Sequence, residues 1–289
     1  MENTIVKTLI FDKHVRLLFV DNTKLINEIL SLNKITNKIL KLILGKTLSV
    51  VSLISGTLKG DQRISLQMIM SDPKYKVFAD ADAQGNVRGY LNGELLKAPF
   101  DFITNVSLDH LIGHKGTIRV IKGSAMNQFT GITDMPYRNI VDDISHYFNQ
   151  SDQTQTYIGA NIGFGNDGRL LFSNAVFAQL LPGAPLGLID EVKHVFNTNQ
   201  ELFINLRNFI GNNIEEKLSE VFTDVNVIGY SSVQFFCGCS KEMLYGMLHS
   251  LNKNDLEQAI SNKELIETVC QICGRTYTFG QSEIQGLLK

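Results

Sequence analysis

An α+β fold built mainly on antiparallel sheet is what this 289-residue sequence predicts. Three observations carry that expectation. Strand-like and helix-like patterns alternate through residues 1 to about 180, turn chemistry separates several of the strand candidates, and a helix candidate interrupts them. A helical segment and a small cysteine-bearing unit then follow.

Val15–Val20 is a short apolar run. From Lys24 to Leu44 the apolar positions Leu25, Ile29, Leu32, Ile35, Ile39 and Leu42 recur every three or four residues, the spacing of one face of a helix or a broken helix. Ile39–Leu58 is the most apolar stretch. Lys41, Lys46 and several Ser and Thr interrupt it, so it reads as a buried helix and falls short of a membrane span. Strand candidates come next at Arg63–Met70, Lys76–Ala81, Val87–Leu91, Thr117–Ile121 and Tyr157–Phe164, with Ser71-Asp72-Pro73 and Asp82-Ala83-Gln84-Gly85-Asn86 as turns. Ile140–Phe148 has helical spacing.

Leu181-Pro182-Gly183-Ala184-Pro185 breaks regular structure and marks a boundary. Leu188–Ile210 and Ile214–Phe222 have helical spacing but carry Asn197, Asn199, Asn205 and Asn208, with Gly211-Asn212-Asn213 between them. Asn and Gly cost about 0.5–1 kcal/mol each against Ala inside a helix. Such helices depend on docking, so residues 181–231 are expected to form a metastable helical linker between a core domain at 1–180 and a small unit at 232–289.

All four cysteines fall in that last unit, as Cys237-x-Cys239 and Cys270-x2-Cys273. Met243, Leu244, Met247, Leu248 and Leu251 form a helical face behind Ser240, a candidate N-cap, and a short helix follows at Asp255–Ile260. Glu264–Val269 and Arg275–Phe279 read as strands around the knuckle Cys270-Gln271-Ile272-Cys273-Gly274. Two thiol pairs can converge on one tetrahedral ion, and four thiolates suit structural zinc. The competing readings are buried metal-free cysteines and a thioredoxin-like redox pair. A redox pair normally opens a helix, whereas Cys270-x2-Cys273 sits between strand-like segments and has a second pair for company. One zinc ion (Zn2+) per chain, held by Cys237, Cys239, Cys270 and Cys273, is the expected cofactor.

Other motifs are weaker. Gly163-Phe164-Gly165-Asn166-Asp167-Gly168 fits the dinucleotide-binding glycine pattern, but Arg169-Leu170-Leu171-Phe172 looks like a strand where that motif needs a helix, so a hairpin turn is expected. His110 and His114 stand four apart beside Asp109; Gly113 and Gly116 argue against a helix there, and isolated surface or capping histidines are expected. His249 lies between the cysteine pairs, but four thiolates already fill a tetrahedron. No Gly-x-Ser-x-Gly elbow or Walker loop is present, and no enzymatic activity is expected. The net charge is −2, and the sequence from Cys237 onward balances five Lys/Arg with six Asp/Glu, so no nucleic-acid partner is expected. The opening Met-Glu-Asn-Thr-Ile-Val-Lys is no secretory signal, and a cytoplasmic, membrane-free location that keeps thiols reduced is expected.

Over nearly its whole length the sequence resembles the redox-regulated 33 kDa chaperonin, or heat shock protein 33, family. The most specific block is Phe236-Cys237-Gly238-Cys239-Ser240-Lys241-Glu242, followed by Cys270-x2-Cys273 and Tyr277-x-Phe279. Leu58-Lys59-Gly60-Asp61, Ala79-Asp80-Ala81-Asp82, Gly85-Asn86-Val87-Arg88-Gly89-Tyr90, Tyr147-Phe148-Asn149-Gln150-Ser151 and Gln179-Leu180-Leu181-Pro182-Gly183-Ala184 are similar to further family blocks. Gln62 replaces a usual Gly, and Gln271-Ile272 replaces a common acidic-aromatic pair; the second change bears on how readily the site oxidises. The resemblance implies an ATP-independent holdase, inactive when reduced and zinc-bound. It also implies redox-active disulfides Cys237–Cys239 and Cys270–Cys273, unfolding client proteins as partners, and a monomer when reduced that becomes a homodimer on oxidative activation. A zinc-ribbon interaction module on an unrelated core is the alternative, and oxidation would then abolish binding. A thiol oxidoreductase would instead turn over a dithiol substrate.

Overall fold

The computed structural model of the chain describes residues 3–98 and 107–288. Strands β1 (Thr4–Ile10) and β2 (Val15–Asp21) form the opening hairpin, and helices α1 (Thr23–Leu32) and α2 (Lys38–Ser55) follow. The 24–44 periodicity is therefore a broken helix. It breaks at Asn33-Lys34, and the Asn37 side chain restarts it by accepting from the Ile39 and Leu40 amides at 2.9 and 3.2 Å. The Ser and Thr inside α2 are buried without penalty because each donates to the preceding turn: Thr47 to the Ile43 carbonyl, Ser49 to Gly45 and Ser52 to Leu48.

Strands β3 (Arg63–Ile69), β4 (Lys76–Asp82) and β5 (Asn86–Leu91) precede short helices α3 (Gly93–Leu96) and α4 (Leu108–Ile112). Strands β6 (Thr117–Gly123) and β7 (Gln128–Asp134), helix α5 (Ile140–Ser151), and strands β8 (Thr156–Phe164) and β9 (Leu170–Leu180) come next. The glycine pattern at 163–168 is the β8–β9 hairpin turn, closed by Gly165 N–H to Arg169 and Gly168 N–H to Gly165. It opens no helix.

The expected Leu188–Ile210 helix is three pieces: α6 (Leu188–Thr198), α7 (Gln200–Asn205) and a 3-10 turn at Leu206–Phe209. Asn199 and Asn205 sit at the joints, as poor helix formers should. Helix α8 (Ile214–Ser219) leads to strand β10 (Asn226–Ser232) and the two-residue strand β11 (Gln234–Phe235). The tail comprises α9 (Lys241–Leu248), α10 (Lys253–Ser261), β12 (Ile266–Val269), β13 (Thr276–Phe279) and α11 (Gln281–Leu287).

Two large sheets sandwich α2. The first has the order β10-β1-β2-β9-β8 and the second β11-β5-β4-β3-β6-β7; among the described residues the one parallel pairing is β11 with β5. The mixed, mainly antiparallel architecture is as expected. The main core fills the space between the sheets, with α1, α2 and α5 inside it. The far face of the first sheet carries Val6, Ile10, Leu17, Phe19, Val176 and Ala178, and the α6–α8 segment buries them. That segment inserts Val192, Phe196, Phe203, Leu206, Ile210, Ile214, Leu218 and Phe222. Each fully buried side chain of this size contributes about 1.5–3 kcal/mol, so docking, and not helix propensity, keeps these short helices formed.

The connection from β10 to β11 crosses from one sheet to the other over the β4–β5 turn. Gly85 makes room: a Cβ there would stand 2.1 Å from the Ser232 carbonyl oxygen, and its φ is +79°. Among the described residues no helix is long and apolar enough to cross a membrane.

Candidate metal centre

The four cysteines reach one point from two separate turns. Cys237 and Cys239 flank Gly238 just after β11, and Ser240 caps α9 by accepting from the Met243 amide at 3.1 Å. Cys270 and Cys273 belong to the β12–β13 knuckle, closed by Cys270 N–H to Arg275 at 2.9 Å and Gly274 N–H to Cys270 at 2.8 Å. Helices α9 and α10 lie between these turns in sequence. The knuckle also rests on the core: a Cβ on Gly274 would come within 2.3 Å of the Leu32 carbonyl at the end of α1, so glycine serves both its positive φ and this contact.

All four Sγ atoms lie within 4.8 Å of one another. Cys237 and Cys270 are 3.6 Å apart, and Cys239 and Cys273 3.5 Å. Four sulfurs at about 2.3 Å from a tetrahedral ion stand about 3.8 Å from each other, so the group can hold a metal ion. Cys273 is 0% exposed, and Cys239 is the more open member.

Burial pushes the Cys237 thiol well up and the Cys273 thiol up to about 11. At Cys239 burial also acts upward, but hydrogen bonds with the Tyr277 hydroxyl and the neighbouring thiols outweigh it and hold this thiol below its ordinary value. Tyr277 Oη lies 3.2 Å from Cys239 Sγ and donates to the Cys239 carbonyl at 3.2 Å. Cys237 and Cys273, which burial keeps protonated, give up their protons to complete a four-thiolate set only when a cation compensates the charge. The donor set therefore suits a thiophilic dication.

The sequence motif names the four cysteines; the side chains around them come from distant segments. Arg88 of β5 donates through Nη1 to the Cys237 carbonyl at 2.9 Å and grips Asp80 of β4 with Nε and Nη2. A separation of 149 residues hides such a contact from any local pattern.

The histidines stay apart from this centre. His249 is the C-cap of α9, its ring 6.0 Å from that of Tyr245. His110 lies on α4, a five-residue helix that corrects the expectation of none there; the helix stops at Gly113, which leaves His114 beyond it. His110 Nδ1 is 2.7 Å from Ser107 Oγ, and among the described residues the four cysteines are the one group of metal-ligating side chains.

The sequence model of a family described as Hsp33 protein matches residues 3–280. The chain belongs to the Hsp33 family. Among curated Hsp33 relatives, the 33 kDa chaperonin of Bacillus pumilus is 28% identical over 98% of this chain and 97% of its own length. The 33 kDa chaperonin of Staphylococcus haemolyticus is 25% identical over the same shares. The crystal structure of the 33 kDa chaperonin of Thermotoga maritima superposes with a TM-score of 0.78 at 20% identity, covering 100% of this chain and 98% of that one, so the Hsp33 fold is shared.

Proposed function

We propose that this chain is a redox-regulated, ATP-independent holdase. In its resting state Cys237, Cys239, Cys270 and Cys273 hold one zinc ion, and residues 232–289 act as a switch on a core at 1–180 through the linker at 181–231. The observation that carries this reading is the position of the four thiols. They join two turns that are otherwise held by a few contacts with the core, at Leu32 and Arg88, and by two small apolar clusters, one around Leu244, Leu248 and Phe279 and one around Leu256, Ala259 and Ile284. Cores of that size supply only a few kcal/mol, whereas zinc bound to four thiolates contributes about 10–16 kcal/mol of apparent folding free energy in small domains.

Oxidation changes the connectivity. Pairing Cys237 with Cys239 and Cys270 with Cys273, as the family resemblance suggests, releases two electrons per disulfide, and hydrogen peroxide that accepts them takes up two protons and becomes two molecules of water. The paired sulfurs no longer serve as thiolate ligands, and each disulfide closes a loop inside one turn. No bond across the centre then joins the two turns. The tail loosens, β10 loses the anchored β11 that follows it, the weak α6–α8 helices lift off, and the apolar face around Leu17, Phe19 and Val176 opens to extended segments of unfolding proteins. The same face supports association of two oxidised copies. Capture is binding without turnover, in the reducing cytoplasm where thiols persist until stress.

An aggregation assay tests this. The reduced zinc form should leave an unfolding client to aggregate, and peroxide with mild heat should convert the protein into a stoichiometric suppressor that needs no nucleotide. Suppression by the reduced form that oxidation abolishes would instead identify a constitutive zinc-ribbon module. Metal analysis should find one zinc per reduced chain, and undiminished zinc in a Cys270→Ser, Cys273→Ser double variant would remove the ligand assignment.

A further inference from the structure

The thiol centre is bolted to the second sheet as well as to itself. Strand β11 runs parallel to β5, with Gln234 opposite Asn86 and Phe235 opposite Val87, and the Phe236 amide donates to the Val87 carbonyl at 3.2 Å. The next residue of β5, Arg88, reaches the next residue of the tail, Cys237, at 2.9 Å. Asp80 stands directly across β4–β5 from Arg88 and takes the other edge of the guanidinium, at 2.8 Å to Nε and 2.9 Å to Nη2. The pair is 25% and 19% exposed, largely withdrawn from water.

The knuckle meets the same two residues. Ile272 lines a cavity of about 260 Å³ whose wall includes Phe78, Asp80, Arg88 and Tyr90. Both cysteine-bearing turns thus converge over one ion pair on the sheet. A dication bound by four thiolates leaves a net charge of −2, and Arg88 is a core cation in contact with the cysteine-bearing turn. The planar fork lets one side chain bond Asp80 and the Cys237 carbonyl together, which a lysine ammonium does poorly.

We propose that Arg88 is a positioning residue of the metal centre: braced by Asp80, it fixes the Cys-x-Cys turn through the Cys237 carbonyl and offsets the thiolate charge, and so sets how tightly the metal is kept. The inference rests on the metal-switch reading above and adds a direct link from the centre to the six-stranded sheet.

Cobalt(II) titration of the reduced full-length protein tests it, read by the thiolate-to-cobalt charge-transfer absorption. Arg88→Met should weaken cobalt retention about tenfold, the equilibrium equivalent of one hydrogen bond involving a charged group, while the four-thiolate spectrum keeps its shape. Arg88→Lys should recover part of that loss, because it restores the charge without the fork. Retention by Arg88→Met within twofold of the parent overturns the inference. Should Arg88→Met fail to fold, Arg88→Lys decides alone: a loss between twofold and tenfold supports the role, and parental retention overturns it. A parent protein that gives no tetrahedral thiolate spectrum would sink the metal reading itself, and this inference with it.

Discussion

Asn174 is fully buried on β9 of the first sheet, and among the described residues neither its side-chain amide nitrogen nor its oxygen has a hydrogen-bond partner. It points to the same side of β9 as Val176 and Ala178, toward the docked α6–α8 segment, with Asp21 and Asn161 opposite it on the neighbouring strands. An unpaired buried amide costs about 1–3 kcal/mol. Asn174→Val should therefore raise the unfolding midpoint of the reduced protein and delay activation by peroxide; a lower midpoint in thermal unfolding would contradict this account. Residue type and spacing single out Cys237, Cys239, Cys270 and Cys273, because few other roles use two thiol pairs. Nothing local marks Asn174, Asp80 or Arg88 as special, since their meaning lies in what packs across from them.

Among elements, those with their own period were legible and those defined by a neighbour were not. The strands β3 to β6 and the knuckle followed from spacing and turn residues, whereas the spacing at 24–44 left one helix or two open and the structure places the break. Strands β1, β7 and β10 gave no signal, and β10 (NVIGYSS) and β7 (QFTGITD) hold edge positions where pairing decides the conformation. Strand β9 was seen only at its start, because a strand buried on both faces shows no alternation. The α6–α8 segment was legible as helical and as weak, and its anchor is now visible. Phe203 is fully buried, its ring 4.8 Å from Phe196 and 6.4 Å from Phe222. Phe203→Ala should remove about 3–5 kcal/mol of docking. Hydrogen exchange should then find α6–α8 unprotected in the reduced protein, together with holdase activity before any oxidant is added. In the parent, oxidation should expose the same helices and the tail while β2, β3 and β9 stay protected; equal protection of α6–α8 in both redox states would count against the switch.

On the scale of the whole molecule, a chain ending near residue 180 keeps both faces of the sandwich around α2 but loses the α6–α8 cover and the tail. It should suppress client aggregation without oxidation. A folded truncation that leaves aggregation unchanged would move the client surface into the linker or tail. Such a chain also lacks β10, the partner of β1, so any activity it shows combines an uncovered face with an uncovered edge. Strand β10 has a further consequence in the intact protein. The segment 181–225 leaves the first sheet from β9 and returns to it through β10, so both its ends are moored to one rigid frame. When its helices come off they form a closed loop, and their re-docking is intramolecular. Loop closure costs little extra as length grows, about 0.6 kcal/mol per doubling, and the local concentration of the helices over their seat stays high. On the proposed holdase reading, client and helices would compete for the same face at every moment, so a client should be surrendered once its own segments hold the sheet less well than Phe196, Phe203 and Phe222 do, without any motor to eject it.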